Sequence, residues 1–396
     1  MFLVIIALIL LGNCVWWRWA HQRVRIFPRP RVWQMTVTIF ALAQLGYMLF
    51  FILAPVYARR IHPWLPMPVV AFMYIWDLLI LPLTLIVIGI DGVVRWVNRL
   101  RSGNRENDDT RKLTRRQWLA ATAATVPPLL AAGGAARAIA QLGQLRLRSI
   151  DVNIPNLPPP LDGLTIAHVS DTHIGRFTRR GALDNVVEMT NRLRADLVVF
   201  TGDLIDLSLS DFPRGVDLIR RLDPKLGLVM IEGNHDLIED PEEFESRGKA
   251  AGLPILLDET RTMNLRGVPV QFLGIRWGKP IPRERRHTND QTTRELVQQV
   301  LTKCDPNAFP ILLAHHPHAF DPAIEAGIPL TLSGHTHGGQ LMLTERLGAG
   351  PVMFRYWSGL YTRANSSLVV SNGAGNWFPL RINAPAEIVR ITLRAQ

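Results

Sequence analysis

Cysteine is nearly absent: Cys14 and Cys304 are the two in 396 residues. They lie in different segments, so neither a disulfide framework nor a thiolate zinc site can be built from them. Excess charge is missing from most of the chain as well. The net charge is +11, but residues 1–145 carry all of it, with 16 Lys and Arg against 5 Asp and Glu. The remaining residues hold 28 of each sign. A nucleic-acid binder places its basic excess on the folded domain, so no nucleic-acid partner is expected. No His-Glu-x-x-His helix is present, which removes the usual signature of a zinc protease.

Long apolar runs are what the basic part does contain. Met1–Trp17, Val32–Pro55 and Val69–Ile90 each approach or reach the length of a membrane span, the last interrupted by Asp77 and Pro82. An acid within a span is costly without a partner, and the sequence names none for Asp77. Five Arg follow the first run, Arg59 and Arg60 the second, and eight Lys or Arg between residues 91 and 117 the third. The positive-inside rule then places the first and third loops in the cytoplasm. Thr114-Arg115-Arg116-Gln117-Trp118-Leu119, followed by an Ala/Gly-rich run to Ala136, reads either as an internal twin-arginine export signal or as a weak fourth span. Both carry the rest of the chain to the outer face. The expected organisation is a membrane segment with three transmembrane helices over 1–113, the twin-arginine-like or fourth segment over 114–144, a Pro-rich linker over 145–162 and a soluble domain over 163–396. The location is the cytoplasmic membrane, multi-pass, with the soluble domain on the extracytoplasmic or periplasmic face.

Within 163–396, strand-like apolar runs alternate with helical spacing in a βαβαβ rhythm followed by further strands, so the fold class is α/β. Five polar clusters each follow such a run: Asp171-Thr172-His173, Gly202-Asp203-Leu204-Ile205-Asp206, Gly233-Asn234-His235-Asp236, His315-His316, and Gly334-His335-Thr336-His337. In open α/β sheets ligands bind beyond the carboxyl ends of the strands, so the clusters are expected to converge. Asp171, His173, Asp203, Asn234, His315, His335 and His337 offer seven oxygen or nitrogen donors and no sulfur. That number suits two divalent ions sharing a carboxylate, and the imidazole–carboxylate mixture suits Mn, Fe, Zn or Co. Two ions ~3.5–4 Å apart clamp the attacking and leaving oxygens of an in-line displacement and supply hydroxide at neutral pH, which is phosphoester chemistry.

These five blocks, in this order, resemble the calcineurin-like metallophosphoesterase family: Asp-x-His, Gly-Asp-x-x-Asp, Gly-Asn-His-Asp, a lone His, then Gly-His-x-His. The Gly-Gly-Gln after His337 and the Ser371–Gly375 and Pro379–Arg381 segments look like its bacterial membrane-associated or exported branch, which includes lipid-precursor pyrophosphatases and phosphodiesterases. The resemblance implies a four-layer α/β/β/α sandwich. It implies a first metal held by Asp171, His173 and His337, a bridging Asp203, and a second metal held by Asn234, His315 and His335, with His316 the alternative to His315. It implies that His235 acts on the leaving oxygen, oriented by Asp236, while Asp206 fixes its loop. Arg176 and Arg381 are candidate phosphate or head-group contacts, as is Asn376. Trp277, Phe354, Tyr356, Trp357 and Trp377 are candidates for an apolar or interfacial surface. The expected function is membrane-anchored, metal-dependent cleavage of a phosphoester or pyrophosphate bond, with a lipid or lipid-linked phosphate suggested by location alone. The alternative is a receptor or scaffold that keeps the fold without turnover.

Overall fold

A computed structural model describes residues 2–53, 66–101, 115–178, 180–278, 290–344 and 346–396. The chain divides into two units, residues 1–139 and 140–396.

The first unit is helical. Phe2–Arg23 and Pro30–Leu53 are α-helices, Met67–Ile75 and Leu81–Arg101 run on through a π-helical turn at Trp76–Ile80, and a further helix spans Arg115–Leu142. Two stretches, Pro30–Leu49 and Met67–Val97, are long and apolar enough to cross a bilayer. The unit is built inside out relative to a water-soluble bundle. Leu8, Leu11, Met35, Ile39, Leu42, Leu83, Ile86 and Ile90 are exposed, while Asn13, Gln44 and Asp77 are buried. That arrangement suits a lipid surround, where polar groups must be satisfied internally. The missing partner of Asp77 is Asn13. Its Nδ2 donates to Asp77 Oδ1 (3.1 Å) and its Oδ1 accepts from Trp76 Nε1 (2.9 Å). The π turn falls where Asp77 is turned inward. Helix Arg115–Leu142 buries Ala131, Ala135 and Ala138, and a Cβ on Gly134 would meet the Ile75 side chain at 3.2 Å. Small residues thus allow the close helix approach typical of membrane bundles. Arg59 and Arg60, and the basic residues 105–112, lie outside the described residues.

The second unit holds two sheets. The first has the order β1-β11-β2-β3-β4, from Leu145–Ile154, Ala386–Ala395, Thr165–Val169, Leu197–Thr201 and Gly227–Ile231. The second has the order β5-β6-β7-β8-β10-β9, from Glu259–Leu265, Val268–Gly274, Phe309–Leu313, Leu330–Ser333, Ser366–Val370 and Gly359–Arg363. Val199, Ile231, Phe272, Ile311, Leu332 and Ile391 form the dry layer between the sheets. Helices Arg180–Arg192, Phe212–Arg221 and Pro241–Ala250 cover the first sheet through Phe200, Leu218 and Phe244. Helices Asp290–Leu301 and Phe320–Glu325 cover the second through Leu273, Val297 and Leu312. The domain is therefore a four-layer α/β/β/α sandwich.

Residues 145–154 are not the linker expected from the sequence. They form β1, paired in parallel with β11 along all its length from Leu145↔Ala386 to Ile154↔Ala395. The reason is period-two patterning: Ile150, Val152 and Ile154 point into the core while Asp151 and Asn153 face out. Only the Pro-rich stretch after Ile154 connects.

Candidate functional site

β2, β3 and β4 run parallel in one sheet and β7 and β8 in the other, and the loops beyond their carboxyl ends meet. The loops beyond them continue the ladder. Asp171 N donates to Gly202 O (2.9 Å), His173 N to Asp203 O (3.0 Å) and Gly334 N to His315 O (3.1 Å). This zipping holds an expensive backbone. Asp171, His173, Asp203, His335 and His337 all have positive φ, between 40° and 72°. Left-handed non-glycine residues cost about 1–3 kcal/mol each and persist where surrounding structure over-determines them, typically at functional sites. The glycine before His335 is obligatory for space: a Cβ there would sit 2.0 Å from Ser170 Oγ and 2.2 Å from Asp171 Oδ2.

Two donor groups that share no residue result, Asp171–His173–His337 and Asp203–His315–His335, and a third, His173–Asp203–His235, overlaps both. His173 Nε2 is 2.9 Å from His337 Nε2, and His337 Nε2 is 3.4 Å from Asp171 Oδ1. Asp203 Oδ2 lies between the groups, 3.4 Å from His173 Nε2 and 3.1 Å from His315 Nε2. Asn234 joins the second group through its Oδ1, 2.9 Å from His335 Nδ1. All seven donors singled out in the sequence are thus brought together. His315 presents Nε2 to Asp203 while its Nδ1 donates to Thr201 O at 2.6 Å. His316 instead turns Nδ1 to accept from His318 N.

The donor set fits two cations on its own chemistry. His315 Nε2 is buried 3.1 Å from Asp203 Oδ2 without a hydrogen-bond partner, and His173 Nε2 and His337 Nε2 face each other at 2.9 Å. Atoms close together but aimed past one another share a third point, as ligand atoms do. The electrostatics agree. Burial alone would lower His173, but Asp203, Asp171 and Asp206 raise it to about 10. Burial also opposes the charge on His315, which Asp203 and Asp171 raise to about 9. Burial and neighbouring His315 push His335 down to about 3, and burial holds His337 well below its ordinary value. Asp171 and Asp203 are held low against burial by these imidazoles. Two buried carboxylates that favour positive charge beside them are what divalent ions would neutralise.

Beyond the donors opens a cavity of about 270 Å³ lined by Asp203, Asn234, His235, His335, His337, Gln340, Met353, Phe354 and Trp377, among others.

Comparison with known proteins identifies the domain. Residues 164–339 match the calcineurin-like phosphoesterase family. The chain carries a calcineurin-like phosphoesterase domain. A zebrafish "transmembrane protein with metallophosphoesterase domain" is 31% identical over 62% of this chain and 57% of its own length. The bovine protein of the same name is 28% identical over 98% of this chain and 88% of its own. An uncharacterized metallophosphoesterase of Bacillus subtilis, YkuE, is 28% identical over 72% of this chain and 99% of its own. The domain is that of a metal-dependent phosphoesterase.

Five expected roles, those of Asp206, Asp236, Arg381, Asn376 and Arg176, are revised within the phosphoesterase domain. His235 is oriented by Asp206, not by Asp236: its Nδ1 donates to Asp206 O at 2.9 Å and lies 3.1 Å from Asp206 Oδ1. Asp236 turns back into the 3-10 turn His235–Leu237, where it accepts from Ile205 N (3.0 Å) and Gly233 N (2.9 Å) and fixes the loop. Arg381 is fully buried and does not reach the cavity. Its guanidinium donates to Asn376 Oδ1, Ala384 O and Gly375 O, and Nη2 lies 3.0 Å from His337 Nδ1, so it supports that ring from behind. Asn376 is spent on this contact and on Leu142 O. Arg176 is half-buried over the Phe177 ring and is not among the residues lining the cavity. Of the candidate aromatics, Trp377 and Phe354 do line it. Trp277 packs against His335, ring centroids 4.7 Å apart. Tyr356 is buried.

Proposed function

We propose that this chain is a membrane-anchored phosphohydrolase that cleaves a phosphoester or pyrophosphate bond using two divalent ions. Asp171, His173 and His337 would hold one, Asn234, His315 and His335 the other, and Asp203 both. The observation that carries the reading is Asp203 Oδ2, within 3.4 Å of an imidazole nitrogen from each group. Bound ions supply Lewis acidity toward the phosphoryl oxygens and toward the attacking water. The remaining work falls to side chains. Thr201 O fixes the ring of His315 with Nε2 forward, the kind of outer support that sets ligand orientation. His235 lines the cavity with Nδ1 donated to Asp206. A proton on its Nε2 therefore makes the ring an imidazolium paired with the Asp206 carboxylate, and that proton goes to the leaving oxygen. Met353, Phe354 and Trp377 give the mouth an apolar wall that limits water.

The scaffold alternative draws no support from the geometry, since every donor position and His235 are filled. Membrane anchoring is supported by the two spanning-length helices and by the name of the bovine relative, a transmembrane protein that aligns over 98% of this chain. The charge pattern supports an extracytoplasmic domain. The test of function is hydrolysis by the purified full chain, loaded with Mn, Zn or Co, of soluble aryl phosphomonoesters and diesters, nucleotide–sugar pyrophosphates and phospholipids. Activity that disappears in Asp203→Ala together with bound metal supports the reading; metal-independent activity overturns it.

A further inference from the structure

Large apolar side chains in the phosphoesterase unit are mostly buried, and the conspicuous exceptions share one segment. Leu343 (73%), Leu347 (59%), Val352 (86%) and Met353 (67%) are the most exposed large apolar side chains among that unit's described residues. Met353 also lines the catalytic cavity, as does the part-exposed Trp377. An apolar cluster of this kind in a water-facing position marks an interaction surface. Its neighbours say which. Exposed Arg346 lies between Leu343 and Leu347, and beside it a groove of about 430 Å³ is lined by Arg146, Arg148, Arg346 and Leu360. Leu147, itself exposed, alternates between the first two arginines on β1. Glu387 balances one of those charges through ion pairs to Arg146 (2.7 Å) and Arg148 (3.7 Å), which leaves the groove net positive. Apolar side chains fringed by arginines are the composition of surfaces that sit at the headgroup level of anionic bilayers. A bilayer is always within reach, because the same chain supplies spanning-length helices and β1 begins three residues after helix Arg115–Leu142. Such tethering makes even a weak contact effectively intramolecular.

We propose that Leu343, Leu347, Val352 and Met353, with Arg346 and the arginines of β1, form a bilayer-docking surface. It sets the mouth of the catalytic cavity against anionic lipid headgroups. The consequence for substrate rests on the reading of that cavity as the phosphoester site: it would take a phosphoester carried in the membrane, with the apolar part lying along Met353, Phe354 and Trp377.

The experiment uses the full chain reconstituted in vesicles of phosphatidylcholine, with and without phosphatidylglycerol. In a Cys14→Ser, Cys304→Ser background, an environment-sensitive fluorophore is attached at Val352→Cys or, as a control, at Glu242→Cys on the exposed side of helix Pro241–Ala250. Lipids spin-labelled on the acyl chain should quench the label at 352 and spare the one at 242. Phosphatidylglycerol should strengthen the effect, and Arg346→Glu should cancel that gain. Adding Leu347→Asp should weaken quenching roughly tenfold, as expected for losing one buried apolar side chain. Equal quenching at both positions, or none at 352, overturns docking, including the case in which the patch binds a second copy of the chain or another protein. Hydrolysis of soluble bis(p-nitrophenyl) phosphate by the same samples reports on the catalytic reading separately, so failure of one is not mistaken for failure of the other.

Discussion

Asp236 adjoins His235 in sequence while Asp206 meets it in space, and exchanging each carboxylate for an amide separates their roles. His235 Nδ1 has two acceptors on Asp206, the carbonyl at 2.9 Å and the carboxylate at 3.1 Å. Asp206→Asn keeps the carbonyl, and therefore the ring orientation, but removes the charge that pairs with a protonated ring. A hydrogen bond to a charged group contributes about 1.5–3 kcal/mol and a neutral one about 0.5–1.5. The difference, about 1–1.5 kcal/mol, corresponds to roughly a tenfold fall in turnover. It should be seen with alkyl or phenyl phosphate esters and be small with p-nitrophenyl esters, whose leaving oxygen needs no proton. Metal content should be unchanged. Asp236→Asn should do the reverse. Its carboxylate accepts from Ile205 N and Gly233 N, an amide oxygen can serve only one of them well, and a buried unpaired N–H costs about 1–3 kcal/mol. A lower Tm with little change in leaving-group dependence is expected. The reasoning is refuted if Asp236→Asn slows poor-leaving-group esters as much as Asp206→Asn while Tm stays put.

Other consequences are as direct. His315→Ala should reduce bound metal and His316→Ala should not, measured by elemental analysis of protein purified without added chelator; equal losses would contradict the assignment. Burial, with Glu245 nearby, raises the Glu232 carboxyl to about 8. In chelator-treated protein it stays protonated when folded while its unfolded counterpart ionises near 4.5, so stability should fall as pH rises from about 4.5 to 8. Asp236, raised to about 7 by burial and Asp203, acts in the same sense. Glu232→Gln should flatten the Tm–pH curve over that window, and an unchanged slope would count against it. In the helical unit, Asn13→Ala removes a partner from both Asp77 and Trp76 Nε1. It should cost about 1–3 kcal/mol, read as a lower midpoint in detergent thermal unfolding; an unchanged midpoint would show that Asp77 finds another partner.

The donors could be picked out in the sequence because each comes directly after a buried strand, so the chain's hydrophobic rhythm already places it at the sheet edge. The direction of a side chain within a turn is not encoded that way. Asp236 is next to His235 in sequence, but the 3-10 turn sends the two apart, and Asp206 arrives from the neighbouring loop. Arg381 looked like one of many solvated arginines; its burial depends on the backbone carbonyls of Gly375 and Ala384 folding around it. β1 was masked by the prolines just after it, although its own residues alternate. The edge strands β5 and β9 carry few buried side chains and so have little pattern to read. The partner of Asp77 lies 64 residues away, beyond any local signal.

The central claim is that the seven donors hold two ions and that Asp203 belongs to both. The most direct measurement is metal stoichiometry of the purified full chain beside that of Asp203→Ala and His235→Ala, each assayed for phosphoester hydrolysis. The expected result is two ions per chain in the unaltered protein and in His235→Ala, with turnover of poor-leaving-group esters lost in the latter, and loss of metal and activity together in Asp203→Ala. A single ion per chain with full activity, or an active Asp203→Ala, would contradict the account.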